Sequence, residues 1–253
     1  YDNTGNFTWA RKFGGPTNDF CNTIKLDAAG NIYINGYFEN TADFDPGPGV
    51  TSLISAGATD IFICKLNSNG NLEWAKRIGG ASADVAFDID LDAQNNVYST
   101  GFYFATVDFD PGSGIFNLTS AALGDGYILK LNNSGGFMNA ASLVSSSRVR
   151  CSSLKLDKTG HVSVAGHFDG AADFDPGAGV FNMVANGNTH FDIFIQKMKS
   201  IGTGMNNVQT HDGISIFPNP STGNLTVEMP SNHSEQYSII DLLGQCVLKG
   251  NTT

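Results

Sequence analysis

The chain has 253 residues, and its 14 Lys+Arg against 24 Asp+Glu give a formal charge of −10. That balance, with no Lys/Arg run, excludes the clustered cations that a nucleic-acid backbone or an anionic membrane surface requires. Charged residues make up only 15%, while glycine reaches 30 residues and 41% of the chain is hydrophobic, a mix that fits a packed, turn-rich β protein rather than a disordered chain.

No apolar run approaches the roughly 18 residues of a membrane-spanning helix. The chain begins at Tyr1 without an initiator Met or a signal peptide, which reads as a mature product or a fragment.

An internal repeat organises most of the sequence. Ala42-Asp43-Phe44-Asp45-Pro46-Gly47 recurs 65 residues later as Val107-Asp108-Phe109-Asp110-Pro111-Gly112, and after another 65 as Ala172-Asp173-Phe174-Asp175-Pro176-Gly177. The same spacing relates Leu26-Asp27, Leu91-Asp92 and Leu156-Asp157, the glycines 36, 101 and 166, and Trp9-Ala10 with Trp74-Ala75.

Each copy reads as four short strands. The first (23–27, 86–92, 152–157) alternates apolar and polar residues and ends in a polar turn such as Ala28-Ala29-Gly30. The second (31–38, 96–103, 161–168) is rich in Val, Ile, Tyr and Phe. A loop of about 20 residues carrying Asp-Phe-Asp-Pro-Gly follows. The third strand, Ile61-Phe62-Ile63-Cys64 and its copies, is apolar at consecutive positions and so is expected to be covered on both faces. Turns such as Asn67-Ser68-Asn69-Gly70 lead to the fourth, because Asn and Gly accept the positive φ of tight hairpins.

This pattern predicts an all-β fold of three four-stranded propeller-type blades, an open arc or a fragment of a larger β-propeller, followed by a truncated small β-sandwich. The other reading is a β-solenoid, whose coils are usually shorter and lack hairpins. Residues 1–13 form the last strand of a preceding blade, 14–78 and 79–143 two blades, 144–199 a third lacking its last strand, 200–211 a linker, and 212–253 a second domain. Closed propellers need at least four blades, so the preferred reading is a longer chain; in the alternative, 7–13 pairs with 191–198 and closes a ring.

In the second domain, Ser215-Ile216-Phe217-Pro218-Asn219-Pro220-Ser221-Thr222-Gly223 and Ile240-Asp241-Leu242-Leu243-Gly244-Gln245 resemble the C-terminal sorting domain of cargo proteins of the Bacteroidetes type IX secretion system. The 65-residue copies resemble bacterial β-propeller repeats found upstream of such domains, in Gly30-Asn31-Ile32-Tyr33-Ile34-Asn35-Gly36 and Asn69-Gly70-Asn71-Leu72-Glu73-Trp74-Ala75-Lys76. The resemblance implies a protein secreted or held at the cell surface after export across the outer membrane, with the type IX machinery as partner of residues 212–253 and an unidentified glycan or protein as ligand.

The acidic residues supply the candidate metal site. Twelve of the 20 Asp fill four repeated columns, led by Asp27, Asp43, Asp45 and Asp60. In an extended segment Asp43 and Asp45 point the same way while Phe44 points opposite. Calcium takes six to eight oxygen ligands, so Asp43, Asp45 and Asp60, then Asp108, Asp110 and Asp125, then Asp173, Asp175 and Asp192, are candidate calcium ligands. Against this stands a structural reading, in which Asp-Pro-Gly is a turn, Asp accepts backbone N–H bonds and Phe44 anchors the loop. The motif also departs from the EF-hand pattern.

No Gly-x-Ser-x-Gly, phosphate loop or His-Glu-x-x-His occurs. Paired aspartates can serve a glycosidase, but a triplicated pair points to scaffold, so the chain reads as a non-catalytic binding or adhesion module. The alternative is an accessory part of a secreted, glycan-degrading enzyme. His161 and His167 read as surface or packing residues. The four cysteines lack metal spacing and are expected as buried free thiols. The aromatic columns read as packing, with Tyr37 and Phe102 as candidates to stack on sugars.

Overall fold

A computed structural model describes residues 4–120, 123–177, 179–186 and 190–199, together with four strands nearer the C-terminus. Among the described residues every regular element is a β-strand, and no helix is long and apolar enough to cross a membrane.

The first copy contains β1 (Asp19–Leu26), β2 (Ile32–Phe38), β3 (Thr41–Asp43), β4 (Ser52–Ile54), β5 (Asp60–Leu66) and β6 (Leu72–Ile78). The second contains β7 (Val85–Leu91), β8 (Val97–Tyr103), β9 (Thr106–Asp108), β10 (Asn117–Thr119), β11 (Asp125–Leu131) and β12 (Phe137–Ser145). The third contains β13 (Arg148–Leu156), β14 (Val162–Asp169), β15 (Ala171–Asp173), β16 (Asn182–Val184) and β17 (Asp192–Met198).

Antiparallel pairing gives the sheet orders β1-β2-β5-β6, β7-β8-β11-β12 and β13-β14-β17. The expected four main strands are therefore present twice, and among the described residues the third sheet has three. The loop of about 20 residues is more structured than the sequence suggested: each copy folds part of it into a ribbon, β3–β4, β9–β10 or β15–β16. These ribbons tie consecutive copies together. Ser145 and Val144 of β12 pair with Ala172 and Asp173 of β15, and Gly14 bridges Asp43 in the same manner.

The first strand of each copy starts earlier than its alternation indicated, because a bulge interrupts it at Cys21/Thr23, Ala86/Asp88 and Cys151/Ser153. The bulge turns the carbonyl of residue 20, 85 or 150 over the glycine of the second strand, and a Cβ at Gly36, Gly101 or Gly166 would collide with that oxygen. This close backbone approach accounts for the repeated glycine column.

The sheets lie side by side. β7 contacts β1, β2 and β5, while β13 contacts β7, β8 and β11. Tyr33, Ile61 and Ile63 of the first sheet join Ile89, Val97, Tyr103, Phe109, Tyr127 and Leu129 of the second in one buried cluster. Tyr98 and Ile128 join Val149, Leu154, Val164, Phe168 and Phe194 in the next. Phe109 and Phe174 of the Asp-Phe-Asp loops are buried in these layers and Phe44 in a third cluster of the first sheet; Phe109 packs against Tyr103 and Tyr127 with ring centroids 5.2 and 5.1 Å away.

Ahead of the first sheet, Trp9 and Phe13 pack against its buried cluster. Among the described residues β17 pairs with β14 and not with 7–13, so the ring closure through 7–13 is not formed there. Its expected coverage on both faces is not seen among the described residues: Phe194 is buried, but Ile193 and Ile195 are 89% and 80% exposed. The thiols of Cys64 and Cys151 are buried and free as expected, whereas Cys21, in the same column as Cys151, is exposed on the uncovered first strand.

The chain divides into two compact units, Tyr1–Gly204 and Met205–Thr253. In the second, β18 (Ser215–Phe217) pairs with β19 (Thr226–Glu228), and β20 (Gln236–Ile240) with β21 (Cys246–Asn251). The expected linker 200–211 and the turn at 218–223 lie outside the described residues.

Candidate functional site

The Asp-Phe-Asp-Pro-Gly loops leave their ribbons by one geometry in all three copies. Asp43 Oδ1 accepts the N–H groups of Asp45 (3.0 Å) and Thr51 (2.8 Å), closing the loop on both sides. Asp108 does the same with Asp110 and Phe116, and Asp173 with Asp175 and Phe181. The second aspartate caps the Pro-Gly turn: Asp45, Asp110 and Asp175 accept from Gly47, Gly112 and Gly177 at 2.7, 2.7 and 2.8 Å. Two backbone hydrogen bonds hold the Asp43 carboxyl below its ordinary pKa.

The third member of each candidate set does different work. Asp60 is buried and accepts from Ala56 N–H (3.0 Å) and from Arg77 Nη1 (2.5 Å). Asp125 accepts the Ser145 N–H at 3.0 Å, and Asp192 binds Asn186 through both its backbone N–H and its side-chain amide. Among the described residues, no group of three or more His, Cys, Asp or Glu is gathered so that it could hold a metal ion. Asp27, Asp92 and Asp157 are turn caps as well, accepting the N–H groups of residues two and four positions on.

A polar junction that the repeat columns concealed lies where the three first strands meet. Asp90 of β7 receives Lys25 of β1 at 3.0 Å and Lys155 of β13 at 3.4 Å, and also accepts the Leu156 N–H. Asp88 receives the hydroxyls of Thr23 and Ser153 at 3.2 and 3.0 Å and the Leu154 N–H at 2.8 Å. Burial raises the Asp90 pKa, but the Leu156 N–H and the two lysines outweigh it and keep the carboxyl below its ordinary value. Both aspartates occur only in the middle copy, against Thr23 and Ser153, Lys25 and Lys155 in the outer ones. Departure from the consensus in the central copy was the available signal.

Aromatic and cationic side chains line one end of the sheets, where β1, β7 and β13 begin. Phe20 stacks on Tyr37 with centroids 4.9 Å apart. Phe102, in the Tyr37 column, contacts Phe87 and Phe104 at 5.5 and 5.6 Å. The Arg150 guanidinium lies 3.5 Å over the Phe102 ring, and Arg148 lies 4.6 Å over Phe191. His167, third in the Tyr37 column, packs edge-on against Phe191. Burial, then the charges of Arg150 and Arg148, hold its pKa below the ordinary imidazole value. Phe20 and Phe191 are exposed, while Tyr37, Phe87, Phe102 and Phe104 are half-buried. His161, by contrast, belongs to the Asp157 turn.

Comparison with known proteins bears on both units. Residues 215–253 match the family described as the secretion system C-terminal sorting domain. The chain is also similar to a protein of Acanthamoeba polyphaga mimivirus described as "Uncharacterized WD repeat-containing protein L264", at 27% identity over 77% of this chain. It spans 16% of that relative's length. The sorting domain marks the chain for type IX secretion to the cell surface or extracellular space, and implies contact with that machinery.

Proposed function

We propose that the chain is an exported, non-catalytic binding module built from three β-propeller blades, and that the aromatic end of the sheets takes an extracellular glycan or protein. The propeller reading is supported by the junction at Asp88 and Asp90. Side chains from the first strands of the first and third sheets reach the same carboxylate in the second, as they do when first strands line a common axis and sheets radiate from it. A WD-repeat relative fits that arrangement.

The observation that carries the non-catalytic reading is the threefold repetition of the carboxylate geometry. Asp43, Asp108 and Asp173 each spend an oxygen on the same two backbone N–H groups, and none is set apart for proton transfer. The binding reading rests on the exposed Phe20 and the half-buried Tyr37 and Phe102, whose ring area left uncovered by their neighbours supports sugar or peptide contact.

The test is a glycan array probed with the full chain, with the hits titrated against wild type and the Tyr37→Ala/Phe102→Ala variant. Binding weakened at least tenfold in the variant is expected. Turnover of array glycans or casein by the wild type would replace this reading with an enzymatic one, and binding untouched by the double variant would move the ligand elsewhere.

A further inference from the structure

The arginines of the chain are Arg11, Arg77, Arg148 and Arg150. Arg11 donates to the carbonyls of Gly70 and Asn69, Arg77 pairs with Asp60, and Arg148 pairs with Asp169. The side chain of Arg150 makes no hydrogen bond or ion pair among the described residues, and its buried Nη1 is without an acceptor. Acidic residues outnumber basic ones by 24 to 14, so the missing partner does not reflect a shortage of carboxylates. Burial, then the Arg148 charge, lower the Arg150 pKa, and Asp169 opposes them. An arginine keeps its proton in a protein, so the half-buried charge persists.

Arg150 belongs to β13, which packs against β7, β8 and β11 of the second sheet. Its guanidinium lies over the Phe102 ring of β8 and 5.7 Å from the centroid of Phe104. Stacking of this kind holds the guanidinium plane while its N–H groups project within that plane toward an acceptor, in the fork that matches a carboxylate or a sulfate. Cation and ring area are thus offered together at the aromatic end of the sheets. A peptide ligand gains much of its affinity by adding to a strand edge. On the edge of β13 away from β14, the N–H groups of Leu154 and Leu156 are already taken by Asp88 and Asp90. A sugar needs no strand edge: its C–H face packs on ring area and its acidic group accepts from the guanidinium.

Resting on the binding role proposed above, we infer that the ligand is an acidic glycan, carrying uronate carboxylates or sulfate esters, and that Arg150 on its Phe102 platform reads the anionic group. Phe102 then has two tasks, supporting the guanidinium and giving its uncovered ring area to the sugar. Arg148, already committed to Asp169, is not the reader. The ligand supplies the anion that Arg150 lacks within the chain, so affinity declines as salt screens the pair.

A glycan array holding neutral, uronate and sulfated oligosaccharides, probed with the full chain, tests this. Hits are expected among the acidic members, the uronate and sulfated sets telling one anion from the other. For the best hit, raising NaCl from about 50 to 500 mM should weaken binding several-fold. Arg150→Gln should weaken it about tenfold or more, and Arg150→Lys, which keeps the charge but loses the planar fork, should fall between. Melting curves check that both variants fold, and the salt series needs the wild type alone. Hits confined to neutral glycans and lost in Tyr37→Ala/Phe102→Ala overturn the acidic ligand while leaving the binding role standing; an array without hits removes the glycan from both readings. Unchanged binding by Arg150→Gln also overturns the inference, as does hexaglutamate binding as tightly as the best acidic glycan.

Discussion

β11 and β17 occupy the same place in successive copies and carry the same kind of sequence, but their surroundings differ. Ile128 is buried between two sheets, and Ile195, its counterpart in the third copy, is 80% exposed. The apolar pattern of a repeat thus specifies a covered face, and whether it is covered depends on the next sheet. Burial at the ends of a repeat array cannot be read from the strand itself, because each unit contacts only its neighbours.

The sharpest way to break this comparison is to truncate both strands. Ile128→Ala removes buried methyl groups and should cost about 2–5 kcal/mol. Ile195→Ala, at an exposed side chain, should change stability by less than about 0.5 kcal/mol. Urea denaturation of both variants reads the difference, and equal losses would mean that the third sheet is covered after all.

Next in size is a pH effect confined to the interface between the first two sheets. Asp84 is fully buried. Burial pushes its pKa up to about 6; the N–H groups of Gly80 and Phe104 oppose that shift, and Asp60 adds to it. The folded chain holds a proton on Asp84 that the unfolded chain has already lost above about pH 4. Stability from this group is therefore full below that pH and falls as pH rises to about 6, by on the order of 3 kcal/mol. Thermal melts across that range should show the decline, and Asp84→Asn should flatten it.

Asp88→Ala leaves Thr23, Ser153 and the Leu154 N–H without their shared acceptor. A loss of about 1–3 kcal/mol is expected, with Asp43→Ala nearer 1 kcal/mol because its loop is exposed. The smallest effect concerns calcium. The Asp43 and Asp45 carboxylates already cap backbone N–H groups, so millimolar calcium should leave the melting temperature unchanged; a rise of several degrees, lost in Asp43→Asn/Asp45→Asn, would restore the calcium reading of these loops.

The main strands, the Asp-Pro-Gly turns and the sorting domain were legible because each leaves a periodic or motif signal. The ribbons were not, since three-residue strands such as Thr41–Asp43 and Ser52–Ile54 are too short to show alternation. Column reasoning also grouped Asp60 with Asp43 and Asp45, although Asp60 answers to Arg77. It passed over Asp88 and Asp90 because they break the repeat. A residue that joins three copies has to differ from its counterparts, which is why self-similarity hides it.

That junction gives the most direct measurement of the architecture. Lys25 and Lys155 stand 130 positions apart and both reach Asp90. A short amine-reactive cross-linker applied to mixed isotope-labelled chains should yield an intrachain Lys25–Lys155 link by mass spectrometry. Sheets stacked along a rod, with first strands that do not converge, would give no such link.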